Sequence, residues 1–165
     1  MQVEFEIQLK PRDMYHFNMY QMYTGIHGWM SIIIAIAVFA VAAATYGNVE
    51  LSYTVLYVIF GLLFLFYAPV SLKMRAKRSI AASEVLSRPL HYVADEKGFT
   101  VSQGEQSAEL PWAQIYKMVA TKSNVLVYSN RTNAYVIPRD QLGDNYAGLA
   151  QLAKEKLEKF RVKMK

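Results

Sequence analysis

Residues 28–49 carry no charged side chain and neither do residues 51–72, so Glu50 is the only charge in 45 consecutive positions. No soluble fold of this size has a use for so long an uncharged tract. At ~1.5 Å per residue, a helix over 51–72 extends roughly 33 Å, the thickness of a bilayer's hydrocarbon core. Residues 29–46 give roughly 27 Å, enough if the helix extends a turn toward Tyr23. The two tracts therefore predict a hairpin of transmembrane helices. A secretory signal peptide is the competing reading of the first tract. It sits too far in, behind Glu4, Glu6 and Asp13, and a second apolar tract follows almost at once.

Cations fix the expected orientation. All 18 Lys and Arg residues lie outside 28–72; Lys73, Arg75, Lys77 and Arg78 follow the second tract directly, whereas the connection Gly47-Asn48-Val49-Glu50 has none. The positive-inside rule puts both termini in the cytoplasm of a multi-pass plasma-membrane protein. Trp29 and Tyr67 then lie near the inner interface, and Tyr46 and Tyr53 near the outer one. Ser31, Ala35, Ala40 and Ala44 in the first helix and Gly61 in the second are small residues that let helix backbones approach, by default within the hairpin. A homo-oligomer stays open.

Residues 3–9 alternate apolar and polar, the pattern of a half-buried strand. Its backbone groups need partners, so it is expected to dock on an edge of the C-terminal sheet as a seventh strand. Pro11 and Asp13 open a helix whose Tyr15, Met19, Met22 and Ile26 form a packing or interfacial stripe. Residues 73–86 hold no breaker before Pro89, so the second helix is expected to run past the membrane. Six short strands follow: 90–94, 99–102, 108–111, 114–121, 125–128 and 134–137. Gly98 is assigned a positive φ in the first turn, and another turn forms around Gly104. At the end, Tyr146, Leu149, Ala153, Leu157 and Phe160 share a helical face, and Asp144 or Asn145 is a reasonable cap.

The organisation so predicted is a strand and amphipathic helix over 1–27, a membrane hairpin over 28–72, a basic helical extension over 73–88, and a cytoplasmic domain over 89–165. The fold class is a membrane α-hairpin plus α+β: a curved antiparallel sheet of six to seven strands capped by a C-terminal helix.

This order resembles the YcxB-like family of bacterial membrane proteins. The residues that carry the likeness are 9–18 (Leu-Lys-Pro-Arg-Asp-Met-Tyr-His-Phe-Asn), 92–99 (Tyr-Val-Ala-Asp-Glu-Lys-Gly-Phe), 110–117 (Leu-Pro-Trp-Ala-Gln-Ile-Tyr-Lys), and Val127-Tyr128 through Tyr135-Val136-Ile137-Pro138-Arg139. The resemblance implies a C-terminal domain similar to a bacterial pleckstrin-homology fold. It implies no activity and no catalytic position.

Chemistry-bearing constellations are scarce. The chain has no cysteine, so disulfides and thiolate metal sites are out. His16, His27 and His91 show no ligand spacing, and no metal, cofactor or catalytic residue is expected. His16 and Asp13 fall on one helical turn, and the expected role is a satisfied surface histidine. The tracts hold no carboxylate, base or His, unlike most ion and proton pathways. Residues 73–165 carry 16 cations against nine acids. Lys73, Arg75, Lys77 and Arg78 are candidates for lipid-headgroup contact, although topology alone accounts for them. The basic tail over 154–165 is read as a solvated helix end, with lipid contact as the alternative. Nucleic acid is not an expected partner, because stacking positions and a motif are lacking. Trp112, behind Pro111, is expected to anchor the core with its indole N–H on a backbone carbonyl.

These readings converge on a membrane-anchored, non-enzymatic interaction module that offers its small domain to a protein partner or to anionic lipid headgroups. The alternative is a small transport or channel component with a regulatory domain. An enzyme comes third.

Overall fold

The computed structural model describes residues 2–164, the side chain of His27 excepted. The chain divides into two compact units, one formed by residues up to Phe17 together with Ala76 onward, the other by Asn18–Arg75.

The second unit is helical. Helix α1 (Pro11–Thr24) enters it, and α2 (Ile26–Thr45) follows after Gly25; α3 (Leu51–Ala82) leads out. Gly28–Thr45 and α3 are each long and apolar enough to cross a membrane, and nearly all of their surface is exposed. The two pack against each other: a Cβ on Gly61 would lie 2.6 Å from the Phe39 ring. Small residues do mediate this contact, but not all of those expected. Ala35, Ala42 and Ala68 are buried, whereas Ala40 and Ala44 are exposed. The buried stripe on α2 follows a seven-residue step through Ala35 and Ala42, which rotates Ala40 and Ala44 away. Pro69 sits inside α3 without ending it.

The other unit is built on two sheets. Strands β1 (Val3–Ile7), β2 (Leu90–Ala94), β3 (Gly98–Gln103) and β4 (Gln106–Pro111) form an antiparallel sheet in the order β1-β2-β3-β4. As expected, β1 docks on an edge, with Phe5 opposite Tyr92 and their rings stacked at 5.5 Å. Strands β5 (Lys117–Ala120), β6 (Asn124–Tyr128), β7 (Ala134–Pro138) and β8 (Val162–Lys163) form the second sheet in the order β7-β6-β5-β8. Eight strands in two sheets thus replace the single curved sheet of six to seven. Two causes are local. Residues Trp112–Gln114 form a 3-10 turn that takes the chain out of the first ladder. The tail then adds β8 beside β5 in parallel, which makes the second sheet mixed.

That tail is a second correction. The C-terminal helix α6 (Asn145–Lys156) stops before the predicted face is complete, because Leu157 adopts extended backbone with φ −113 and ψ 150. Leu149, Ala153 and Leu157 are buried as the periodicity demands, but Phe160 falls in the following 3-10 turn and is 76% exposed. Asp144 is the N-cap residue and makes no side-chain cap bond. Helix α5 (Arg139–Leu142) precedes α6.

Glycine has two distinct uses here. Gly104 has φ +57 and, among the described residues, no other residue type has positive φ, so Gly104-Glu105 form a type II′ turn between β3 and β4. Gly98, by contrast, lacks the expected positive φ. It is glycine because a Cβ there would lie 2.4 Å from the Leu110 carbonyl oxygen.

The start of α1 is fixed by Asp13, as the sequence predicts, and by Asn124, which the sequence did not single out. The Lys10 amide donates to Asp13 Oδ2 at 2.9 Å, as an acidic residue in a first turn does. Buried Asn124 on β6 donates from Nδ2 to the Asp13 carbonyl at 3.0 Å. Asp13 bonds to the backbone, and the pairing with His16 that one helical turn allows does not form; His16 is not the satisfied surface histidine expected but is half-buried, its Nδ1 without a hydrogen-bond partner.

Candidate functional site

Four of the cations singled out from the sequence lie on α3. Lys73, Arg75, Lys77 and Arg78 are all exposed. At 3.6 residues per turn, Lys73 and Lys77 share one side of the helix and Arg75 and Arg78 another, so the charges ring the helix rather than line one face. Trp112 is buried, its ring edge-on to Phe99 at 5.5 Å and its indole N–H donating to the Asp95 carbonyl at 2.8 Å. It therefore ties the start of the 3-10 turn to the β2–β3 turn. Asp95 organises that turn in its own right. Its Oδ1 accepts from the amides of Lys97 (2.7 Å) and Gly98 (3.1 Å). These bonds hold its carboxyl below the usual carboxylate range.

One concave feature of this unit is a groove of about 460 Å³. Two sheet edges border it, since β4 ends the first sheet and β7 ends the second. Leu90, Tyr92 and Val101 form part of its apolar lining, as do Ala108 on β4 and Ala134 and Val136 on β7. Further lining comes from Leu9, from Met14 on α1, and from a short helix, α4 (Glu84–Ser87), through Val85 and Leu86. Sequence reasoning ran the preceding helix to residue 86. The break falls at Ser83 instead, which turns extended so that its hydroxyl can accept from the Leu86 amide at 3.2 Å. Gln103 then fastens α4 to the β3–β4 hairpin, donating from Nε2 to the carbonyls of Val85 (2.9 Å) and Pro89 (3.1 Å). Lys77 and Arg78 do not line the groove.

The backbone of β4 is open along this groove. In a two-residue hairpin the flanking pair, Gln103 and Gln106, exchanges both backbone bonds, and bonded pairs recur at Val101–Ala108 and Phe99–Leu110. The Trp112 amide donating to the Lys97 carbonyl at 3.4 Å continues that alternation. The amides and carbonyls of Ser107 and Glu109 consequently point away from β3. Pro111 closes the edge at its far end, having no N–H to offer. Residues 106–109 are all exposed.

Titratable chemistry in the groove is limited to two phenols. Burial pushes the Tyr92 hydroxyl up, with a smaller contribution from Tyr135 on β7, so Tyr92 is neutral throughout the physiological range. A Glu4–His91–Ser102 line crosses the first sheet, with His91 Nε2 2.8 Å from Glu4 Oε1 and Nδ1 3.4 Å from Ser102 Oγ. Glu4 and His91 are 87 positions apart, which hid the pair from sequence reasoning. Both are open to solvent. Among the described residues, no three His, Asp or Glu side chains converge to hold a metal ion.

The model of the YcxB-like protein family matches residues 94–153, so the resemblance stands over the stretch from the end of β2 into α6. No curated protein and no solved structure matches the chain.

Proposed function

We propose that α2 and α3 cross a bacterial plasma membrane as a hairpin with both termini cytoplasmic. The two-sheet unit is then a pleckstrin-homology-like, non-enzymatic module that binds an extended segment of a partner protein along β4. Support for the anchoring comes from the length and exposure of the two apolar helices and from the cations that ring α3 behind them. Support for the common side comes from connectivity. Strand β1 precedes the helices and β2 follows them, yet the two are paired, so both ends of the hairpin emerge on one face of whatever the helices cross.

The binding reading rests on one observation, the open β4 edge beside an apolar groove. Strand addition supplies backbone bonds to Ser107 and Glu109, while alternate side chains of the added segment enter the groove. The same sheet is already completed in this manner at its other edge, where β1 joins β2 from far away in sequence. Photo-crosslinking from position 108, exposed beside the groove, tests the idea in native membranes. A discrete adduct is expected, and Ser107→Pro should abolish it while leaving thermal stability unchanged, because that amide points away from β3. Adducts that survive Ser107→Pro, or none at all, contradict strand addition.

A further inference from the structure

Outside the apolar helices and the turn that joins them, the exposed large hydrophobic residues of the described chain are Val85, Tyr116 and Phe160, and the last two are brought together by Arg161, which follows Phe160 and bonds the Tyr116 carbonyl. Pairing of β5 with β8, with Met118 opposite Val162, brings the tail alongside β5. Arg161 locks it there, donating from Nε to the Tyr116 carbonyl at 3.0 Å and from Nη2 to that of Ile115. Phe160, just before this lock, is held out in solvent rather than left there by a loose end. Cations surround the pair. Lys117 places its ammonium 4.5 Å from the centre of the Tyr128 ring and 5.8 Å from that of Tyr116, while Lys159 and Lys163 flank Phe160, exposed. Glu158 is the one acid among residues 156–164.

We propose that the Tyr116–Phe160 corner docks on an anionic bilayer surface. The proposal deepens the membrane-anchored reading and rests on that anchoring. A helix end that is merely solvated has no reason to fix a phenylalanine in water. A bilayer interface takes its ring into the headgroup–acyl boundary while lysines meet lipid phosphates and carboxylates. Each lysine there contributes about 1 kcal/mol, a factor of about five in the docked population. A tether of few residues raises the local concentration of membrane around the corner, so weak docking suffices. An acidic protein surface would satisfy the lysines but has no need of the exposed ring; it is the competing occupant.

The absence of cysteine allows a clean probe. Full-length Glu158→Cys protein, labelled with an environment-sensitive fluorophore beside the intact Phe160 ring, is placed in nanodiscs of neutral phosphatidylcholine or of the same lipid with phosphatidylserine. Blue-shifted emission and quenching by spin-labelled lipid are expected only with phosphatidylserine. The signal should fall about fivefold in docked-to-free ratio for each of Lys159→Gln and Lys163→Gln, and vanish at ~1 M salt, where the screening length is about 3 Å. Incorporated protein whose emission ignores lipid charge overturns the docking alone. Failure to incorporate at all overturns the anchoring, and the docking with it.

Discussion

At the residue scale, the polar side chains that matter most act on backbone rather than on each other. Asp95 accepts two amides in its own turn, Asn124 reaches the Asp13 carbonyl, Gln103 ties α4 to a hairpin, and Arg161 fastens the tail. Asp95 carries a pH prediction. A carboxylate whose folded pKa is depressed contributes stability above its unfolded value, about 3.9, and that contribution is lost as pH falls through the folded one. Carbon-detected titration should find Asp95 below that value. The Lys97 and Gly98 amides should shift together with it on acidification, and Asp95→Asn should remove the step. Titration at an ordinary carboxylate value would refute the assignment. Such contacts were only partly legible in sequence. Trp112 and the helix start at Pro11 and Asp13 carry local signals. The Asn124–Asp13 and Glu4–His91 pairs join positions far apart, so no spacing rule reaches them.

At the scale of elements, hydrophobic alternation located β1, and short runs between turn residues located β2, β3, β6 and β7, to within a residue or two. The failures share a cause. Residues 114–116 were read into a strand and Phe160 into a helix, but the backbone turns there to reach a new partner, and only tertiary packing records that turn. Gly98 was given the right residue type for the wrong reason, and the distinction is testable. A turn glycine replaced by alanine strains one φ, whereas here the added methyl meets the Leu110 carbonyl between β3 and β4. Gly98→Ala should cost about 3 kcal/mol in denaturant unfolding, and faster amide exchange should be centred on β4 rather than on residues 95–97. Unchanged exchange in β4 would show that the close approach is unimportant.

On the scale of the whole molecule, the account turns on a strand that must return to its sheet. Strand β1 is separated from β2 by all three long helices, and yet the pair is in register over five residues. Closing so large a loop is a modest entropic cost when the intervening helices are themselves antiparallel neighbours. Composition made the two apolar helices plain from the start, and the cation count is what the proposed orientation rests on. The open β4 edge was beyond reach, because which strand ends a sheet is decided by the order of pairing and not by any residue within it. The central proposal is therefore topological: the turn after α2 on the outer side, the β4 edge on the inner. Single-cysteine variants Asn48→Cys and Ser107→Cys, probed with a membrane-impermeant maleimide in spheroplasts, test it directly. Labelling at position 48 in intact spheroplasts, and at position 107 only after lysis, is predicted. Labelling at position 107 before lysis, or protection of position 48 throughout, would contradict it.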